Sequence, residues 1–315
     1  MNLNKKSLLS YILLPVSVVY YLLTSFRRLL YRFNFLTIYN FDIPVIVVGN
    51  ITVGGSGKTP IVIALVEHFK GRGLNIGVVS RGFGGKHGVG SLYVNQESNA
   101  SESGDEPLLI ATQTNVPVVV NTNRVQAVKD LIKDFDVELV ISDDGLQHYS
   151  MGRKIEIVVV DGKWRFGNGL FLPSGPLREP LSRLNSVDFV VNNGAMHPGE
   201  IYSSLVPKFF VNVLTLEKKP LDFFHNQTCH AVAGIGHPDR FFDTLVDLNI
   251  DVLPHSFKDH YYYSESDFLF SSNHPIIMTT KDCVKCREFA NDNMWYLLTE
   301  VDISEDFLNK LQEKL

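Results

Sequence analysis

Short β-branched apolar runs recur along the first two thirds of this chain, at Val45–Val48, Asn75–Ser80, Pro117–Asn121, Val137–Ser142, Ile155–Asp161 and Val187–Val191. Runs of this length bounded by Gly, Pro, Asn or Asp predict buried strands. Between them lie stretches with helical apolar spacing, Pro60–Lys70 and Arg124–Phe135, the first stopped by Gly71-Arg72-Gly73. Strand, helix, strand in this rhythm predicts βαβ units on a parallel sheet. Ligands of such sheets gather at the carboxyl ends of the strands, so the polar residues just after each strand are the first candidates for chemistry. The rhythm breaks near Thr215–His225 and resumes with a strand at His230–Ala233 and a helix at Phe241–Leu248. A helix start at Ser264–Asp267, a strand at Pro275–Thr279 and a helix opened by Lys281-Asp282 follow. The expected architecture is α/β: a helical arm over 1–39, a parallel-sheet domain over 40–216 and a smaller α/β domain over 217–315.

The arm has its own pattern. Leu8 to Leu23 is almost continuously apolar, broken by Ser10, Pro15 and Ser17. These 16 residues reach only ~24 Å as a helix, short of the ~20 residues a span requires, and Pro15 predicts a kink. No small-residue cleavage site follows, because Thr24-Ser25 leads into Phe26-Arg27-Arg28, which disfavours a secretory signal. Phe26, Leu29, Leu30 and Phe33 share one helical face, while Arg27, Arg28 and Arg32 occupy others. An arginine-bearing amphipathic helix suits the lipid–water interface, so a monotopic anchor is favoured over a true span. A buried core helix is the alternative, and the basic flanks argue against it.

Charge sharpens this picture. The net charge is −5, yet the arm carries Lys5, Lys6, Arg27, Arg28 and Arg32 and no acid, which leaves −10 for the rest. A basic arm on an acidic body points to an anionic membrane surface and away from nucleic acid. Three cysteines, Cys229, Cys283 and Cys286, make no disulfide framework, and Cys283-x-x-Cys286 lacks a second pair at zinc spacing. The pair reads as structural, and reduced thiols are consistent with a cytosolic side. At 315 residues there is room for two domains, or for one large domain with additions.

The most specific local signal lies after the first strand. Thr52-Val53-Gly54-Gly55-Ser56-Gly57-Lys58-Thr59 stands between an apolar strand and a helical segment, the order of a P-loop. Closely spaced glycines let successive N–H groups converge on phosphate oxygens, and the helix start adds its own N–H groups. In that reading Lys58 reaches the terminal phosphates of ATP and the Thr59 hydroxyl ligates Mg²⁺. Pro60 is compatible, since the first helical turn has no N–H bonds to lose. The usual first glycine of the motif is replaced by Thr52. A glycine-rich turn without a ligand is the bland alternative.

Other candidates follow the strand-end rule. Asp143 and Asp144 end the apolar run VELVIS in the manner of a Walker B carboxylate aimed at Mg²⁺, or are turn residues before Gly145. Gln147 and His148 stand close enough to touch the same cleft. Arg124 opens a helix near a strand end, where it neutralises phosphate or is simply surface charge. Ser103-Gly-Asp-Glu-Pro107 closes a polar connection running from Gly82, and Asp105 or Glu106 is either a general base or a solvated loop carboxylate. Gly162–Pro180 is too irregular for one helix or strand. Arg165, Arg178 and Arg183 in and after it suit a partner with greasy and anionic parts, or belong to a surface loop.

Taken in order, VGNITVGGSGKTP, SRGFGG, SGDEP, Asn123-Arg124, SDDGLQH, PSGPLREP, AGIGHPDRFF, FKDH and TTKDCVKC resemble the tetraacyldisaccharide 4′-kinases of lipid A biosynthesis over nearly the whole chain. That family shares the displaced first glycine. The resemblance implies a P-loop domain and a smaller α/β domain with the active site in the cleft between them. It implies transfer of the ATP γ-phosphoryl group to the 4′-hydroxyl of a tetraacyldisaccharide 1-phosphate at the cytoplasmic face of the inner membrane. It assigns Asp105 as general base and His260 of the F-x-D-H motif as its partner. His260 would then come from the other domain, so that closing the cleft assembles the dyad. Lys58 and Arg124 would neutralise charge, and Asp143 and Asp144 would serve Mg²⁺. Arg81 and Arg178 are candidates for the substrate's 1-phosphate or sugar hydroxyls by charge and position. His237 and Thr280 depart from the asparagine and glutamate common in the family, which leaves contacts in the second domain unassigned.

Two other classes compete. A regulatory or metal-chaperone P-loop NTPase would share the loop, but the late strand ends Val190-Val191-Asn192-Asn193-Gly194 with no N/T-K-x-D guanine motif. A membrane adaptor leaves the P-loop and paired aspartates unexplained. No obligate protein partner is evident.

Overall fold

The structure, a computed structural model, describes residues 3–315, so the first two residues of the expected arm lie outside it. In chain order the helices are α1 (Leu8–Ile12), α2 (Leu14–Arg32), α3 (Lys58–Gly71), α4 (Ala100–Ser103), α5 (Asp105–Thr114), α6 (Arg124–Asp134), α7 (Pro238–Asp247), α8 (Thr280–Cys286) and α9 (Glu305–Glu313). The strands are β1 (Val45–Gly49), β2 (Ile76–Ser80), β3 (Leu92–Val94), β4 (Val118–Val120), β5 (Leu139–Asp143), β6 (Ile155–Asp161), β7 (Phe189–Asn193), β8 (Ile201–Asn212), β9 (Lys218–Lys219), β10 (Thr228–Ala233), β11 (Asp251–Ser256), β12 (Ile276–Thr279) and β13 (Met294–Ile303). They form two compact units, Met1–Arg81 with Val116–Ser204 and Val301–Leu315, and Gly82–Asn115 with Leu205–Glu300.

In the first unit β1 lies between β5 and β6, and the order β7-β6-β1-β5-β2-β4 is parallel throughout. Strands β1, β2, β4 and β5 are buried along their whole length. Both faces are therefore covered, which is why they read as continuous apolar runs. Val48 of β1 pairs in register with Asp143 of β5, so the end of β5 sits beside the start of the glycine loop. Helix α6 opens on Asn123, whose side chain accepts from the Gln126 N–H at 3.3 Å.

The arm is helical, in two pieces. The break falls at Leu13, and Pro15 occupies the first turn of α2, where a proline is harmless, rather than kinking a longer helix. Ser17, buried on the inner face of α2, donates to the Phe171 carbonyl at 2.9 Å and meets Ser174 Oγ at 2.7 Å and its N–H at 3.0 Å. Leu22, Phe26, Leu29 and Phe33 stay exposed. Among the described residues no helix is long and apolar enough to cross a membrane.

The second unit has its own parallel order, β11-β10-β12-β13. Its core is rich in aromatics, with Phe224 edge-on to Phe210 at 5.0 Å and to Trp295 at 5.5 Å. The division differs from the sequence expectation in two places. Residues 82–115 belong with this unit because α5 packs on α8. Residues 301–315 return to the first unit, where Phe307 stacks edge-on against Phe189 at 5.2 Å and Arg72 donates to Asn309 and Gln312. The connection expected to be irregular from Gly82 contains β3 and α4 and ends in the first turn of α5.

Candidate active site

The glycine loop leaves β1 at Gly49 and enters α3 at Lys58. Gly57 caps α3 with φ of 87°, in the left-handed region that favours glycine, and a Cβ there would collide with the Asn193 amide. Asn193 Nδ2 donates to the Ser56 carbonyl at 3.2 Å, and Asn50 Nδ2 donates to Ser56 Oγ at 3.2 Å. Thr52 and Val53 are braced from the other side, since Thr52 bridges Leu177 and the Val53 N–H donates to the Pro176 carbonyl at 2.8 Å. Gly54 and Gly55 face open space. Thr59 is buried in the first turn of α3, next to Lys58.

A charged cluster faces this loop. Lys58 Nζ lies 3.7 Å from Asp144, and Arg178 Nη1 donates to both Asp144 oxygens at 3.2 Å. Burial raises the Asp144 pKa, but Lys58 and Arg178 outweigh it and hold the carboxyl below its ordinary value. Asp143 is fully buried at the end of β5. Arg124 is buried too, donating to the Asn121 carbonyl at 3.2 Å and lying 3.5 Å from the Asp144 carbonyl. Burial lowers its pKa to about 10 against the pull of Asp143 and Asp144, so it keeps its charge. It is not a surface cation. Gln147 donates to the Asn50 carbonyl at 2.9 Å and accepts from Arg178 at 3.3 Å, which ties the loop after β5 to the glycine loop. His148 is pushed down to about 4 by burial and then by Arg124, Arg153, Arg27 and Arg81, so its ring is neutral near pH 7. Arg81 itself is exposed at the end of β2.

The arginines of the irregular segment separate into two kinds. Arg165 pairs with Glu200 at 2.6 Å, and Arg183 pairs with Glu179 at 3.1 Å and with Glu156 at 2.5 Å. Both are engaged inside the unit, and only Arg178 joins the cluster around Asp144. Glu179, next to it in sequence, is 4% exposed and accepts from Gln147, Tyr149 and Arg183. The one signal for Glu179 in the sequence is its place inside PSGPLREP.

The second unit carries a separate constellation. Asp105 is the first residue of α5 and is 4% exposed, so it is not a solvated loop carboxylate. Its Oδ1 accepts from His260 Nδ1 at 3.0 Å and from the Glu106 N–H at 3.0 Å. Its Oδ2 is buried and has no hydrogen-bond partner among the described residues. His260 has φ of 59°, donates its N–H to Asp259 and rests edge-on against Phe83. Burial raises the Asp105 pKa, but the His260 bond and the Lys281 charge outweigh it and keep the carboxyl ionised. His260 in turn is raised, chiefly by its bond to Asp105. Asp105 and His260 lie in the same unit, so their pairing needs no closure of one domain on another. Lys281 stands beside both, a placement that its position at the start of a helix does not reveal in the sequence. Cys283 and Cys286 are buried in this unit's core, with burial pushing both thiols up, Cys283 to about 12.

A parallel sheet whose central strand feeds a glycine loop, a lysine and a buried arginine–carboxylate cluster defines a phosphate-handling enzyme of the P-loop class. The chain matches the Tetraacyldisaccharide-1-P 4′-kinase family over residues 9–315. It is 59% identical over the full length of both chains to the tetraacyldisaccharide 4′-kinase of Ruthia magnifica subsp. Calyptogena magnifica. It is 46% identical to that of Histophilus somni, covering 97% of this chain and 93% of the relative. A crystal structure of LpxK from Aquifex aeolicus in complex with ATP superposes with a TM-score of 0.82 at 30% identity, covering 98% of each chain. The chain belongs to the tetraacyldisaccharide-1-P 4′-kinase family and is a kinase.

Proposed function

We propose that this chain transfers the γ-phosphoryl group of ATP to the 4′-hydroxyl of a tetraacyldisaccharide 1-phosphate, with Asp105 as the base. The observation that carries the base assignment is its carboxylate: one oxygen is fixed by His260 and the other is buried with no hydrogen-bond partner among the described residues. A sugar hydroxyl stays protonated near pH 7, so a positioned carboxylate must take its proton as the phosphoryl group arrives. Asp105 Oδ2 accepts that proton, while the His260 Nδ1–H holds Oδ1 and orients the group. Lys58, Arg124 and the amides of the glycine loop bind the donor phosphates and offset their charge. Arg178, Arg81, Gln147 and His148 are the candidates for the acceptor's phosphate and hydroxyls, and a neutral His148 can offer a ring nitrogen as acceptor.

Among the described residues no group of three or more His, Cys, Asp or Glu side chains is arranged to hold a metal alone. Thr59, Asp143 and Asp144 nevertheless fit Mg²⁺, which keeps waters and needs only one or two carboxylates when it arrives with a nucleotide. Bound there, the ion supplies neutralisation of phosphate oxygens. The exposed apolar row of α2 with its arginines supports attachment to the cytoplasmic face of the inner membrane, where the acyl chains of the acceptor lie.

The test is Asp105→Asn. Turnover should fall by roughly 10²–10⁴ while ATP affinity is little changed. Loss of ATP binding in this variant would make Asp105 a nucleotide ligand and refute its role as base.

A further inference from the structure

We propose that Lys281 is a positioning residue for phosphoryl transfer, keeping the Asp105 carboxylate ionised and the His260 ring in the tautomer that carries its proton on Nδ1. This rests on the reading of Asp105 as base. Lys281 Nζ lies 3.3 Å from Glu106, 3.3 Å from Asp259, 3.7 Å from Asp105 Oδ2 and 3.5 Å from His260 Nε2. One ammonium thus faces three carboxylates and the outer nitrogen of the dyad imidazole. The side chain is only 18% exposed, so these partners replace much of its water.

Its place on the helix argues that the cation is there for those partners. Lys281 is the second residue of α8, in the turn where the helix dipole disfavours positive charge. Local preference would put an acid here, and the next residue, Asp282, is one. Asp282 is engaged elsewhere: it accepts from Thr279 Oγ1 and the Gly234 N–H and pairs with Lys285 at 2.8 Å. Lys285 is the other cation that acts on Asp105, and its ammonium is held by Asp282. Among the described residues, the other ammonium that acts on Asp105 is therefore already paired.

The proton arrangement follows from donors and acceptors. Asp105 Oδ1 can only accept, so His260 Nδ1 carries a hydrogen. His260 Nε2 has the Asp259 carboxylate at 3.7 Å, which favours a proton there, and the Lys281 ammonium at 3.5 Å, which can only donate; the nearer ammonium leaves Nε2 as an acceptor, which is the neutral ring. With the ammonium removed, Asp105, Glu106 and Asp259 face one another, and the charge left to offset them is a protonated His260 and Lys285, which is itself paired with Asp282. Both Asp105 and His260 then hold protons more tightly, and a protonated Asp105 cannot act as a base.

The experiment is the pH profile of kcat/KM for wild type, Lys281→Met and Lys281→Arg, with ATP binding and the His260 ring signals in NMR followed in each. In Lys281→Met the acidic limb should move up by about one pH unit, activity should recover at the alkaline end, and the His260 midpoint should rise. Lys281→Arg should keep the limb near its wild-type position, and ATP affinity should be unchanged in both. A purely structural role would lower kcat/KM equally at every pH with the limb and the His260 midpoint unmoved, and that result overturns the proposal. Should Lys281→Met fail to fold, Lys281→Gln makes the same comparison. Wild type that binds ATP but phosphorylates no lipid would refute the reading of Asp105 as base, and the His260 midpoint would still decide whether Lys281 controls the dyad.

Discussion

Glu179 offers a direct measure of how firmly the site's scaffold is held. Its carboxylate is 4% exposed and takes three donors: Gln147 Nε2 at 2.7 Å, the Tyr149 hydroxyl and Arg183 Nε at 3.1 Å. Arg183 retains Glu156, and Arg153 pairs with Glu156 at 3.0 Å, so Glu179→Ala does not strand a lone cation. It does leave Arg183 under-compensated, the half-buried Tyr149 hydroxyl without its acceptor and Gln147 Nε2 with the Asn50 carbonyl alone. Removing one partner of a buried ion pair costs about 3–5 kcal/mol. The surviving Glu156 contact puts the expected loss at the lower end, about 3 kcal/mol. Glu179→Gln keeps the shape and an acceptor oxygen but loses the charge, so it should fall between wild type and Ala. Urea unfolding followed by tryptophan and far-UV signals gives the difference from midpoint and slope. The effect should also reach the site, because Gln147, held then by the Asn50 carbonyl alone, supports Arg178 beside Asp144 less firmly. A Glu179→Ala protein as stable as wild type, with unchanged ATP binding, would show that the network is not a scaffold.

Three further outcomes are expected. Gly57→Ala forces a left-handed φ on an L residue and drives Cβ into the Asn193 amide, so ATP retention in equilibrium dialysis should fall about tenfold or more; unchanged affinity would contradict the loop's role. The folded pKa of His148, about 4, lies below its ordinary 6.5, so the unfolded chain binds more protons between those values. Its contribution to stability is therefore lost as pH falls through that window, and its ring signals in NMR should not titrate between about pH 6 and 8; a midpoint near 6.5 would be inconsistent with burial among arginines. Leu22→Glu combined with Phe26→Glu alters two exposed positions of α2, so co-sedimentation with anionic vesicles should drop while the unfolding temperature holds. Retained vesicle binding would place the membrane surface elsewhere on the molecule.

Much of the first unit was legible because its strands are buried on both faces and therefore read as uninterrupted β-branched runs, β1 and β5 above all. Strands containing proline escaped notice: β8 holds Pro207, and β11 holds Pro254 and is an exposed edge strand, where proline is tolerated. The division into units was illegible for a different reason. Segment 82–115 is set by the packing of α5 on α8, a contact between residues far apart in sequence. The same packing buries Asp105, which within the polar string SGDEP looks like a loop carboxylate. Lys281 was hidden further still, since a lysine opening a helix looks like a solvated surface charge until its three acidic neighbours are in view.

The decisive measurement is to incubate the detergent-solubilised protein with γ-labelled ATP, Mg²⁺ and tetraacyldisaccharide 1-phosphate, and to locate the label on the product by NMR. Label should appear as a phosphomonoester on the 4′ oxygen, and Asp105→Asn should all but abolish it while still binding ATP. Label recovered only as free phosphate, with the lipid unchanged, would make the chain a nucleotide-hydrolysing switch and contradict the transfer reaction proposed for it.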